Sequence, residues 1–334
     1  MAESFSEIGK IQAIEQLYQL SAYNPVSGLS YTSSKGGRIT TASRMYLEGI
    51  DFNLVYFPLK HLGYKCVVGV VGELYAALAA PKLLNVVLGV SAKLDFPQIK
   101  ELWMGITVAA KEHGFEAVNL DLQPSNNGLY LSLSATGETA ILTEKRRMAA
   151  KSKDLICVSG SLGAAYLGLQ VLERGAREFQ EKGTQPDMTQ YKMLVGAYLR
   201  PELDASVVSH LEDAEIYPSY GYFVTRGLSD ALKRLSRDSG LGVKVYAAQI
   251  PFEGNSFAVG KQLDMDPVSA AMNGGDDNRV LLVIPILHLE KFRREFQTFD
   301  IIGHMAQREV GEVLVTPEGV EFPIKSQGWP ENDE

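Results

Sequence analysis

The chain is expected to fold as two mixed α/β domains, and three observations carry that expectation. Strand-like and helix-like stretches alternate along its whole length. Its 334 residues are enough for two domains, each with its own core. A fresh strand–turn–helix unit begins near Met148, which sets the expected division at 1–147 and 148–334.

In the first part, Leu83 to Val90 is rich in Leu and Val and reads as a strand. Asp95 is placed to cap the next helix, and Pro97 is tolerated in its first turn. Phe96, Ile99, Leu102, Trp103, Ile106 and Ala110 share one face of that helix, and Gly114 closes it. Phe115 to Leu120 reads as a strand, and Leu129 to Ala135 alternates with the period of a half-buried one.

In the second part, Asp154 to Val158 is a strand and Ser159-Gly160-Ser161 a tight turn. Leu162 to Phe179 is a helix, with Leu162, Ala165, Leu169 and Leu172 facing inward and Ser161 competent to cap it. Gly183 to Pro186 is a polar loop. Helices follow over Leu228–Leu235 and His288–Phe296, and strands over Val243–Ile250 and Val280–Ile286. Pro317-Glu318-Gly319 turns between Glu312–Val315 and Val320–Phe322 as a hairpin.

Composition narrows the function. A chain that is 46% hydrophobic and 22% charged is globular rather than disordered. A formal charge of -8 argues against nucleic acid as a partner, because phosphate-backbone binding relies on clustered Lys and Arg. Lys145-Arg146-Arg147 and Arg293-Arg294 read instead as solvated surface. The most apolar segment, Leu83 to Val90, is far shorter than the ~20 residues a membrane helix needs, so no membrane partner is expected. Cys66 and Cys157 sit in apolar strand-like runs, as buried thiols of a cytoplasmic protein do.

Leu47-Glu48-Gly49-Ile50-Asp51-Phe52, continuing through Pro58-Leu59-Lys60-His61-Leu62-Gly63-Tyr64-Lys65, resembles the second motif of the thiamine-monophosphate kinases. Asp154 to Leu169, Asn273 to Gly275, Ile302-Gly303-His304 and Gln327-Gly328-Trp329 match that family in order and at its spacing. These kinases belong to the superfamily of aminoimidazole ribonucleotide synthetases. The resemblance implies an N-terminal domain that dimerises through its sheet, with a C-terminal α/β domain beside it. It implies ATP in a cleft at the dimer interface and several magnesium ions held by aspartates. Phosphoryl transfer there depends on positioning and charge neutralisation, so those carboxylates are hard to replace.

Most of them are replaced. The family's Gly-Asp-Asp falls on Val26-Ser27-Gly28, and the aspartate before Leu-Glu-Gly falls on Arg44. The Asn-Leu-Ser-Asp pattern becomes Val70-Val71-Gly72-Glu73, and Gly-Gly-Asp-Thr becomes Asn119-Leu120-Asp121-Leu122. Arg147 matches the arginine of a phosphate-handling motif. Asp-Ile-Ser-Asp-Gly-Leu becomes Phe223-Val224-Thr225-Arg226-Gly227-Leu228, losing both aspartates. Gly-Gly-Glu-Asp-Tyr-Glu becomes Gly274-Gly275-Asp276-Asp277-Asn278-Arg279.

Glu73 and Asp121 are thus the candidate metal ligands, enough for one ion at most. A unit cation ~4 Å away would oppose a divalent ion by roughly 8 kcal/mol at an effective dielectric near 20, so Arg44 and Arg226 work against magnesium. Two readings of the arginines stand. They neutralise leftover carboxylates, or Arg44, Arg147 and Arg226 bind an anion directly, since the guanidinium fork suits phosphate. The candidate phosphate-binding set is therefore Arg44, Arg147, Arg226, Glu73, Asp121, Gly274 and Gly275. The Ser159–Gly163 turn could also offer backbone N–H groups to an anion. The resemblance suggests a catalytically degenerate homodimer that binds a nucleotide or phosphorylated small molecule, or that assists an active paralogue. The alternative is an active kinase with altered metal use.

Overall fold

The computed structural model describes residues 29–32, 37–183 and 186–329. The first sheet contains β1 (Leu29–Thr32), β2 (Arg38–Leu47), β3 (Ala80–Ser91), β4 (Ala117–Ser125) and β5 (Tyr130–Thr139) in the order β1-β2-β5-β3-β4. Between its strands run α1 (Leu59–Ala76) and α2 (Phe96–Glu112). Only β3 and β4 pair in parallel, because α2 carries the chain across between them. In β5 half-buried and buried residues alternate throughout, matching its period-two sequence. Asp95 caps α2 as expected, its side chain accepting from Gln98 N while the Gln98 side chain accepts from Asp95 N. Phe96 departs from the expected inner face. It is 63% exposed beside Lys100, because the first turn of α2 projects beyond the core.

The short helix α3 (Ile141–Arg146) leads to the second sheet. This sheet comprises β6 (Leu155–Ser159), β7 (Tyr220–Val224), β8 (Gly242–Tyr246), β9 (Arg279–Ile284), β10 (Phe299–Ala306), β11 (Glu312–Val315) and β12 (Glu321–Pro323). Its order is β12-β11-β8-β10-β6-β9-β7. The helices here are α4 (Ala164–Lys182), α5 (Lys192–Leu199), α6 (Val207–Asp213), α7 (Leu228–Ser239), α8 (Ser256–Leu263), α9 (Pro267–Asn273) and α10 (Leu289–Glu295). The expected strand over Val243–Ile250 ends at Tyr246, where Ala247–Gln249 tightens into a helical turn. The C-terminal hairpin forms as read, with Val315 opposite Glu321 and Gly319 at φ +86°.

Helix α1 joins the two sheets. Its sequence is apolar nearly all round, so it is buried on every side rather than along one stripe. A Cβ at Gly63 would lie 2.2 Å from Leu102 O of α2, and one at Gly72 would lie 2.1 Å from the Phe223 ring of β7. Small residues thus let α1 touch a helix on one side and the second sheet on the other. One continuous core runs through it, from Leu131 and Leu133 to Phe223, Val280 and Leu282. Burying a side chain the size of Phe223 contributes roughly 1.5–3 kcal/mol. Cys66 and Cys157 are free and buried, as their apolar surroundings predict. Among the described residues, no helix is long and apolar enough to cross a membrane.

Candidate functional site

The position matching the family's missing aspartate lies on β2, on the face turned toward α1. Arg44 projects there and its Nη2 donates to Asp276 Oδ1 at 3.5 Å. Lys65 of α1 donates from Nζ to Asp276 Oδ2 at 3.0 Å. Both carboxylate oxygens of Asp276 are therefore engaged by cations from the first half of the chain. The Lys65 ammonium also lies 3.6 Å from the centroid of the Tyr198 ring and 5.5 Å from that of Phe57. Burial pushes the Asp276 carboxyl up, but Lys65 and Arg44 more than offset this and hold it below the ordinary carboxylate range. Burial in turn draws the Lys65 ammonium below its usual value.

Asp276 is delivered by an unusual backbone. Gly275, Asp276 and Asn278 have φ of +84°, +61° and +53°. The turn is held by Asp276 N and Asn278 N, which donate to Thr225 O and Val224 O. Glycine, aspartate and asparagine are the residues that best tolerate the left-handed region, and these bonds fix them there. Gly274 is a packing residue, since a Cβ there would lie 2.4 Å from Ala270 O.

A second group of charges lies alongside. Glu73, near the end of α1, makes no hydrogen bond or ion pair through its carboxylate among the described residues. Burial pushes it up while Arg234, Arg44 and Arg226 pull it down. Asp230 of α7 accepts from Trp329 Nε1 at 2.9 Å and lies 3.1 Å from Arg234 Nε. Trp329 thus packs against α7, with Arg237 5.3 Å from its ring centroid. Arg226 is exposed, within the field of Asp230, Arg234, Arg44 and Glu73, and no carboxylate pairs with it among the described residues.

The structure therefore brings together Arg44, Arg226, Glu73 and Gly275 of the sequence-derived set, and leaves Arg147 and Asp121 elsewhere. Arg147 donates to Ser219 O at 3.0 Å, and its charged surroundings are Arg38 and Glu144. Asp121 is on the edge strand β4, exposed, and accepts from Gln123 at 3.1 Å. The register runs Asp121–Val87–Ser132–Met45 across the sheet, whereas Arg44 belongs to the row Leu133–Val86–Leu120. Adjacent rows point to opposite faces, and three strand spacings separate the positions by roughly 14 Å. Asp121 and Glu73 thus share no metal site within one chain. Val26-Ser27-Gly28 lies outside the described residues.

The turn before α4 is also occupied. Gly163 N and Ala165 N donate to Asp277 at 2.9 and 3.4 Å, so the carboxylate sits where an external anion would bind. Ser161 makes no cap; Gly163 is the N-cap at φ +76°. Burial pushes Asp277 up to about 7, despite help from those N–H groups and Arg279.

Sequence reading missed Lys65, Tyr198, Asp230 and Arg234. One signal was present, since Lys65 is a lone cation in an otherwise apolar helical run. Asp230 and Arg234 stand at i, i+4 spacing, which more often marks a surface pair.

Magnesium does not fit these residues. It wants carboxylates with free oxygens in octahedral array, yet Asp276 is clasped by two cations and Asp230 is held by Arg234 and Trp329. Phe223 fills its position with an aromatic ring that is 0% exposed. Among the described residues, no group of three or more His, Cys, Asp or Glu could hold a metal ion.

No protein-family model matches the chain. It is 20% identical over 306 residues to a thiamine-monophosphate kinase of Bacillus subtilis strain 168, covering 90% of each sequence. Against the Aquifex aeolicus thiamine-monophosphate kinase it is 23% identical over 238 residues, 71% of this chain and 73% of that one. A solved structure described as AaThiL complexed with AMPPCP and TMP superposes with a TM-score of 0.81 at 19% identity, covering 98% of this chain and 99% of the other. Escherichia coli HypE, a hydrogenase maturation protein, superposes at 0.65 and 15% identity over 96% and 98%. Sequence likeness spanning nine-tenths of the chain, together with a fold shared over nearly its whole length, makes the chain similar to the thiamine-monophosphate kinases.

Proposed function

We propose that this chain is a catalytically degenerate thiamine-monophosphate kinase-like protein with a binding or regulatory role. It would work in the cytoplasm as a homodimer of two-domain subunits divided at 147/148. The observation that carries the reading is the clasp on Asp276. A carboxylate at a family metal position has both oxygens committed to Arg44 and Lys65. Charge that magnesium would supply is thereby supplied by the chain, and the cation cannot leave with a product or rearrange around a transferring phosphoryl group. The outer face of the first sheet supports the homodimer, for it exposes Met45 and Leu83 beside the hydrogen-bonded pair Ser43 and Ser134.

Arg226 favours a ligand over an empty cleft. Its guanidinium is exposed without a carboxylate, which suits an anionic end of a nucleotide or phosphorylated small molecule. The deciding experiment measures ATP consumption with thiamine monophosphate and magnesium, and ATP binding by calorimetry in excess chelator. The expected result is no turnover above a protein-free control, with metal-independent heat on ATP addition. Magnesium-dependent turnover would instead establish the alternative, an active kinase with altered metal use.

A further inference from the structure

We propose that a cavity outside this cleft binds a small zwitterion of the α-amino-acid class with an apolar side chain. The cavity measures about 460 Å³ and lies between the C-terminal end of α2, the α5–α6 connection and the start of β9. That volume is in the range of small-molecule sites. None of its lining residues belongs to the Arg44–Asp276 cleft, so the inference stands apart from the functional reading above.

Its guanidiniums and carboxylates form no ion pair with one another. The Arg200 guanidinium makes no hydrogen bond or ion pair among the described residues, and it lies 5.8 Å from the centroid of the Tyr64 ring. The Tyr64 hydroxyl donates to Glu112 Oε1 at 3.0 Å. One tyrosine thus has a cation near its ring and an anion beyond its hydroxyl. Arg279 is fixed differently. Its Nε donates to Ser161 O at 3.2 Å and its Nη1 to Glu202 O at 2.9 Å. Backbone carbonyls set its position, Asp277 offsets part of its charge, and other N–H groups remain for a ligand. On the acidic side, Asp204 spends Oδ1 on Ser206 N and Oγ, and its other oxygen makes no hydrogen bond among the described residues. Glu112 likewise keeps Oε2.

A cavity lined by guanidiniums and carboxylates that are not paired with one another suits a ligand carrying both signs. A simple anion would meet Glu112 and Asp204, and a simple cation would meet Arg200 and Arg279. Val207 and Phe299 supply an apolar wall, which favours a hydrocarbon side chain over a polar one. Such a ligand would also touch the machinery of the clasp. Tyr64 precedes Lys65 on α1, and Arg279 closes the turn that carries Asp276.

The test is calorimetry on the full chain with L-phenylalanine, 3-phenylpropionate (no amine) and phenethylamine (no carboxylate). L-phenylalanine is expected to bind, with both half-analogues at least about tenfold weaker, equivalent to 1.4 kcal/mol each. Arg200→Gln and Glu112→Gln are each expected to weaken L-phenylalanine by a similar factor. Arg200 is exposed and unpaired, so unchanged thermal unfolding of Arg200→Gln shows that the loss is local. No heat from L-phenylalanine at millimolar concentration overturns the proposal. So does equal binding of phenylpropionate, or affinity that neither substitution alters.

Discussion

Asp276 and Asp277 are neighbours in sequence and opposites in environment. Asp276 faces the first half of the chain and meets two full positive charges, Arg44 and Lys65. Asp277 faces α4 and meets two backbone N–H groups. Both are shielded from water, Asp277 almost wholly and Asp276 in part, which raises a carboxyl. Full charges overcome that cost, and Asp276 stays below the ordinary range. Peptide dipoles do not, and Asp277 rises to about 7. At these two positions the deeper burial of Asp277 and its lack of a directly bonded cation act together, whereas Asp276 keeps two cations in contact.

The largest expected effect comes from removing the clasp. Asp276→Asn leaves Lys65 and Arg44 without their carboxylate and is expected to cost about 3 kcal/mol, the lower end for a broken buried pair. Urea denaturation at pH 7 measures it. A loss below about 0.5 kcal/mol, ordinary for a surface substitution, would mean that the clasp is incidental. Acid should undo the same contact, since a carboxyl with a depressed folded pKa contributes stability that disappears as pH falls through that value.

Asp277→Asn sharpens the contrast through the opposite slope. The folded form holds a proton up to about pH 7, where an unfolded aspartate has already lost it. Between ~4 and ~7 the native state binds more protons, so this group's contribution to stability falls as pH rises. The gap between native and Asp277→Asn protein is therefore expected to be larger at pH 5 than at pH 8. Denaturant titrations at the two pH values would read it, and a gap that widened with pH would contradict the assignment.

Arg226→Ala should have the smallest effect on folding, within about 0.5 kcal/mol, because an exposed unpaired side chain contributes little. Its expected consequence is weaker ATP binding in chelator. Stability loss without a change in ATP binding would make Arg226 a structural residue like Arg147.

Much of the scaffold was legible because local patterns were strong. The alternation in β5 and the capping box at Asp95 appear where the residues predict them. The site was legible only in part. Arg44 and Arg226 were identified from motif position, yet the carboxylate that Arg44 meets is neither Glu73 nor Asp121 by direct bond. It is Asp276, 232 residues away along the chain. Ser161 had the right chemistry for a cap and lost to Asp277, which reaches α4 from 112 to 114 residues further on.

The sequence by itself determined the periodicities, the Asp95 cap, the small residues of α1 and the replacement of acids by Arg44, Phe223 and Arg226. These are properties of neighbouring residues and of spacing along one chain. Only the tertiary structure decided which charges met. Lys65 pairs with Asp276 because α1 is buried between two sheets, and Asp121 stands apart because one residue of strand register turned it to the other face. Electrostatic pairing depends on distances of a few ångströms, and those are fixed by packing between segments far apart in sequence.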